Sequence, residues 1–177
     1  MNKELQQVLN PPAPGVNEKV MKNRVFREGD KVMQIKNNYD IQWKNLEDFS
    51  EGSGIFNGDI GYIKSIDKEF NEMTVVFEDV KAALYDATRF DELELAYAVT
   101  VHKSQGSEYP VVVMPMTWIP PVMATRNLLY TAVTRAKLAV IIVGSPDIMN
   151  EMVDNNKITE RYSGLKARLR VFLDYEI

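Results

Sequence analysis

Two apolar runs constrain the fold of this chain more than any other feature. Val111-Val112-Val113-Met114 and Val140-Ile141-Ile142-Val143 contain no polar residue, so a strand built from either offers neither face to water. Such runs belong to sheets covered on both sides. Residues 126–137 between them carry the pattern of an amphipathic helix, residues 96–101 read as another strand, and a helical stretch closes the chain. From Ala96 onward the texture is therefore α/β with a largely buried sheet.

Upstream the texture changes. Residues 28–95 show short apolar alternations at 30–35, 59–66 and 73–77, punctuated by Gly29-Asp30, Asn57-Gly58-Asp59 and Asp67-Lys68. Several short strands at that spacing suggest a small barrel. Asn57-Gly58 reads most simply as a tight hairpin turn, because both residues tolerate positive φ. The first 27 residues read as a short helix followed by a loop, since Asn10-Pro11-Pro12-Ala13-Pro14-Gly15 cannot be helical.

Composition excludes several kinds of chemistry. There is no cysteine and a single histidine, His102, so thiolate metal sites, a Cys-His pair and a zinc-type cluster are ruled out and no metal-ligand set is expected. The 25 acidic and 21 basic residues give a net charge of −4, which argues against a surface that coats DNA and leaves room only for local contacts. Basic residues crowd two places, Lys19, Lys22, Arg24 and Arg27, and Arg161, Lys166, Arg168 and Arg170; either cluster reads first as a solvated face. No apolar run approaches the ~20 residues that cross a bilayer, and the amino terminus is not signal-like, so a cytoplasmic protein with no membrane partner is expected.

Two segments carry chemistry. Thr100-Val101-His102-Lys103-Ser104-Gln105-Gly106-Ser107-Glu108 is expected at the carboxyl end of the strand at 96–101, where α/β sheets place ligands. Such a concentration of polar groups in one turn serves no core purpose. Leu128-Leu129-Tyr130-Thr131-Ala132-Val133-Thr134-Arg135-Ala136-Lys137 would present Thr131, Thr134 and Arg135 on a polar helix face, although an arginine there can equally be a plain salt-bridge partner.

Taken together, these segments resemble motifs V and VI of superfamily 1 helicases, and the wording of residues 96–108 is closest to the RecD-like and TraA-like members. Gly29-Asp30-Lys31-Val32-Met33-Gln34, Asn37-Asn38-Tyr39-Asp40 and Phe56-Asn57-Gly58-Asp59-Ile60-Gly61 resemble the SH3-like barrel inserted into the second motor domain of those helicases. The likeness covers nearly the whole chain. It implies residues 1–27 as the leading segment of a RecA-like second motor domain, 28–95 as the inserted barrel, and 96–177 as the C-terminal part of the motor domain.

The resemblance also implies roles. Arg135 matches the motif VI arginine that reaches the γ-phosphate and is catalytic; Gly106 and Glu108 match positions bordering ATP, and Thr100 and His102 positions facing single-stranded DNA. Lys103, Ser104 and Gln105 lie between them and are expected to couple nucleotide state to DNA grip, with Lys103 among the DNA contacts. In the barrel, Tyr39, Trp43 and Phe56 are candidates for base stacking, Lys36 and Lys44 for phosphates and Asn57 for a DNA contact, against the ordinary expectation that barrel aromatics are core.

A phosphate-cradling Gly-x-x-x-x-Gly-Lys-Ser/Thr sequence and an acidic magnesium motif are both missing. ATP with Mg2+ is therefore expected only in a longer parent that supplies the N-terminal motor domain and the magnesium ligands, this chain being a truncated piece without ATPase activity of its own. The implied function is the C-terminal portion of a 5′–3′ DNA helicase in recombination, repair or conjugation, with recombination or repair subunits as possible partners. Two alternatives stay open: a stand-alone module binding single-stranded nucleic acid or protein, and an interaction domain that docks a partner through residues 162–177.

Overall fold

A computed structural model describes residues 1–21, 24–156 and 164–174, with side chains at 165–167 and 173–174 left aside. The chain forms two compact units, Met1–Ser107 and Glu108–Ile177. Among the basic residues noted above, Lys22 and Arg161 and the side chain of Lys166 lie outside the described set, as does part of the stretch 162–177 considered for docking.

The first unit opens with helix α1 (Asn2–Leu9), a hairpin of β1 (Glu18–Met21) and β2 (Arg24–Arg27), and a seven-stranded antiparallel sheet. The sheet consists of β3 (Lys31–Gln34), β4 (Asn38–Asn45), β5 (Glu51–Ile55), β6 (Ile60–Asp67), β7 (Glu72–Phe77), β8 (Lys81–Asp86) and β9 (Leu93–Leu95), in the order β5-β4-β8-β7-β6-β3-β9. Strand β7 shows why it forms: Met73, Val75 and Phe77 are buried while the residues between them are half-buried, the period-2 pattern of a one-sided strand. Ile55 from one edge strand and Leu93 from the other join the same core as Ile41, Ile63, Val75 and Tyr85. The sheet therefore curls around its apolar face.

The leading residues belong to this unit through polar bonds. The Asn2 side chain donates to the carbonyls of Leu95 and Ala98 and accepts from Ala98 N, while Gln6 donates to Val25 O and to Asp30. These bonds also explain why residues 96–101 are not the strand expected of them. Ala96 N still bonds Lys31 O, but the backbone groups of Ala98 are taken by Asn2, and among the described residues no neighbouring strand receives the segment.

Asn57-Gly58 makes a turn but not a hairpin. Asp59 N bonds Phe56 O, and Gly58 has φ +101° while Asn57 is not among the positive-φ residues, whereas a type I′ hairpin needs both. The turn joins β5 to β6, which do not pair with each other.

The second unit contains β10 (Tyr109–Met116) and β11 (Ala136–Gly144), a parallel pair connected by α2 (Arg126–Val133), then α3 (Pro146–Asp154) and α4 (Leu165–Asp174). Both apolar runs are strands, as their composition requires. Helix α2 stops four residues earlier than its pattern suggests. Thr125 caps its start by accepting from Leu128 N, Thr134 closes it, and Lys137 already belongs to β11. Pairing with β10 captures the chain at Ala136 and competes successfully with another helical turn.

Candidate nucleotide and nucleic-acid site

Residues 100–106 form a compact turn in the first unit. Thr100 Oγ1 accepts from Lys103 N at 3.3 Å, Ser104 N donates to Thr100 O, and the buried Ser104 hydroxyl donates to Val101 O. Gly106 ends the turn at φ +87°, a conformation that suits glycine, and nothing lies within 4 Å of where a side chain would begin. The turn fixes Ser104 inward and leaves Thr100, His102, Gln105 and Gly106 exposed. The Thr100 hydroxyl accepts one bond and keeps its own proton for a phosphate or ribose oxygen.

This turn precedes β10 and follows the irregular segment after β9, so the argument from the carboxyl end of a strand does not apply to it. Lys103 does not extend freely into solvent: its Nζ lies 2.5 Å from Glu94 Oε2. Glu94 also receives Arg24, whose Nη2 is 3.0 Å from Oε1 and whose Nη1 donates to Leu93 O.

Beneath the segment lies the fully buried carboxylate of Asp30. It accepts from Gln6 Nε2, Asn10 Nδ2, Arg27 N and Tyr97 Oη, all at 2.6–2.9 Å. A carboxylate can be buried when its oxygens are saturated in this way. The Tyr97 phenol is pushed up to about 12 by burial and then by its bond to Asp30. Sequence reasoning gave the Asp30 carboxylate no buried role, and its side-chain partners lie 20 or more residues away, so no local pattern reveals the cluster.

In the second unit the strand register brings Glu108 and Arg135 together. Each is the residue before its strand, Tyr109 pairs with Ala136, and Tyr109 N donates to Arg135 O at 2.8 Å. The Arg135 guanidinium lies half-buried along the end of α2, its Nε donating to Thr131 O and its Nη2 to Thr134 Oγ1. The negative end of the helix dipole favours a cation there. Glu108 pairs with Lys137 at 3.0 Å, and both side chains are more than half exposed. Such a pair contributes little and yields readily to a ligand.

The barrel separates its candidates. Tyr39 and Phe56 are exposed and meet edge to face, with centroids 5.4 Å apart. Trp43 is instead half-buried, its ring covering Gly52 so closely that a Cβ there would lie 2.4 Å away. Lys36 pairs with Asp91, and Lys44 stands 5.6 Å from the Phe49 ring centroid. Asn57 N donates to Asn37 Oδ1, which fixes the turn. Among the described residues no group of three or more His, Asp or Glu side chains is placed to hold a metal ion, and no helix is long and apolar enough to cross a membrane.

Residues 1–77 match the SH3 domain of ATP-dependent RecD-like DNA helicases, and residues 95–143 match the UvrD-like helicase C-terminal domain. The chain is 35% identical over 145 residues, 82% of its length, to the ATP-dependent RecD2 DNA helicase of Deinococcus radiodurans, covering 18% of that protein. The chain belongs to the RecD-like helicase family, as part of its C-terminal region. It is also 36% identical over 120 residues to the RecBCD enzyme subunit RecD of Mycobacterium tuberculosis, across 67% of this chain and 20% of that one. A third relative, the uncharacterized protein MJ1519 of Methanocaldococcus jannaschii, is 32% identical over 149 residues, across 77% of this chain and 12% of that one. The chain thus spans a fifth or less of each of these three RecD-like or related proteins. The SH3 match begins at residue 1, and α1 and the β1–β2 hairpin likewise share the compact unit of the barrel strands.

Proposed function

We propose that this chain is the C-terminal portion of an ATP-dependent 5′–3′ DNA helicase, contributing the barrel and part of a RecA-like second motor domain. The observation that carries this reading is the strand register that sets Glu108 and Arg135 at one end of β10 and β11. A half-buried guanidinium fits a nucleotide phosphate: it stays charged at every relevant pH and can bridge two oxygens. ATP, when bound, supplies the phosphoryl group whose transfer drives stepping. In that step Arg135 stabilises charge on the γ-phosphate and Glu108 leaves Lys137 to accept from a ribose hydroxyl. The phosphate-cradling loop and magnesium ligands come from the N-terminal motor domain of a longer protein.

Thr100 and His102 face the single strand, where small donors hold phosphates without reading sequence. Tyr39 stacks on a base with Phe56 at its edge, and Asn57 stands beside them. Recombination or repair subunits are the partners this reading suggests, because one relative is by name a subunit of the RecBCD enzyme. A second reading, a stand-alone module for single-stranded nucleic acid, draws on the exposed Tyr39–Phe56 pair.

Fluorescence anisotropy of a labelled single-stranded oligonucleotide, titrated with the 177-residue chain at two salt concentrations alongside an ATPase assay, separates the two. Weak, salt-sensitive binding without ATPase is the expected result. Tight binding favours the stand-alone module, and ATPase activity of the purified chain contradicts the division of labour proposed.

A further inference from the structure

Arg24 was grouped above with a solvated basic face, yet its surroundings are organised. Its guanidinium is anchored by Leu93 O and by one oxygen of Glu94, while the other oxygen of the same carboxylate holds Lys103. One acid thus fixes two cations, and the trio keeps a net charge of +1. Neither cation is consumed. The Arg24 and Lys103 side chains remain 42% and 36% exposed, and guanidinium and ammonium carry five and three N–H donors respectively. Arg24 and Glu94 also line a cleft of about 560 Å³ together with Asn2, Lys3 and Gln6. Arg27 lines the same cleft but is buried and committed to Glu18.

We infer that Arg24 and Lys103, held side by side by Glu94, form a receptor for one backbone phosphate of single-stranded nucleic acid. Glu94 is the positioning residue: it removes the rotamer freedom that two long side chains would otherwise lose on binding. The strand then continues from the turn at 100–106 toward the cleft, where Lys3 adds a further positive charge. This inference rests on the proposed contact between that turn and DNA.

The test is the salt dependence of binding of the 177-residue chain to a fluorescein-labelled oligothymidylate, followed by anisotropy. Each phosphate contact on a single strand adds about 0.7 to the slope of log K against log salt. Arg24→Gln should lower the slope by about that amount and weaken binding several-fold at low salt, whereas Arg24→Lys should keep the slope. Lys103→Gln serves as the reference. If Lys103→Gln lowers the slope and Arg24→Gln does not, the receptor is wrong while the proposed DNA contact of the turn survives. If neither changes it, or the chain does not bind, both fail. Because Arg24→Gln also removes the bond to Leu93 O, the Arg24 Nε–H resonance of the unsubstituted chain gives an independent reading. It should shift on addition of the oligothymidylate, and an unmoved resonance overturns the receptor.

Discussion

At the scale of single residues, buried carboxylates do more than sequence pattern can show. Asp30 joins α1, β2 and the segment carrying Tyr97 through four donors. Asp30→Ala strands those donors in the interior and should destabilise the first unit by about 3 kcal/mol, read as a lowered midpoint in urea unfolding. Glu28 adds a pH dependence. Burial raises its pKa, but bonds from Ile66 N and from Asn17 N and Nδ2 outweigh burial and hold it below its ordinary 4.5. A depressed folded value means that Glu28 stabilises the protein above its unfolded pKa and loses that contribution as the pH falls through the folded one. Glu28→Gln should therefore melt below the parent chain near pH 7, with the gap narrowing as the pH falls through the depressed folded pKa. Gly106, Glu108 and Arg135 were named as candidates because the segments around them resemble helicase motifs. The pairing of Arg24 with Glu94 had no such signal, because 70 residues separate them in the chain.

At the scale of elements, apolar runs and alternation marked β3, β6, β7, β10 and β11, five of the eleven described strands, while strands with mixed or polar composition such as β4 and β5 carried no such signal. The sequence 96–101 looks like a strand, but Asn2 takes the backbone of Ala98. The β1–β2 hairpin went unread because its residues mix charge with apolar character, with Arg27 buried beside Phe26. Glycine marks where the parallel pair closes. Gly144 has φ +138°, and a Cβ there would lie 2.2 Å from Met116 O. Gly144→Ala should cost roughly 1–3 kcal/mol and loosen the end of β11, measured as faster amide exchange at Ser145, whose N bonds Met116 O.

At the scale of the whole molecule, the first unit holds the large apolar core, and among the described residues of the second unit several strand side chains stay exposed. Val111, Val113, Ile141 and Val143 are 45–61% exposed on β10 and β11, although parallel strands of this composition are normally covered on both faces. That exposure supports the proposed reading as part of a larger motor domain, in keeping with a chain that spans a fifth or less of the relatives compared. The central claim is that Arg135 completes the active site of such a motor. Its most direct test is steady-state ATP hydrolysis by the full-length helicase with saturating single-stranded DNA, comparing the parent with Arg135→Ala. The account predicts turnover lower by on the order of a thousandfold with folding and DNA binding retained; turnover near the parent's would contradict it.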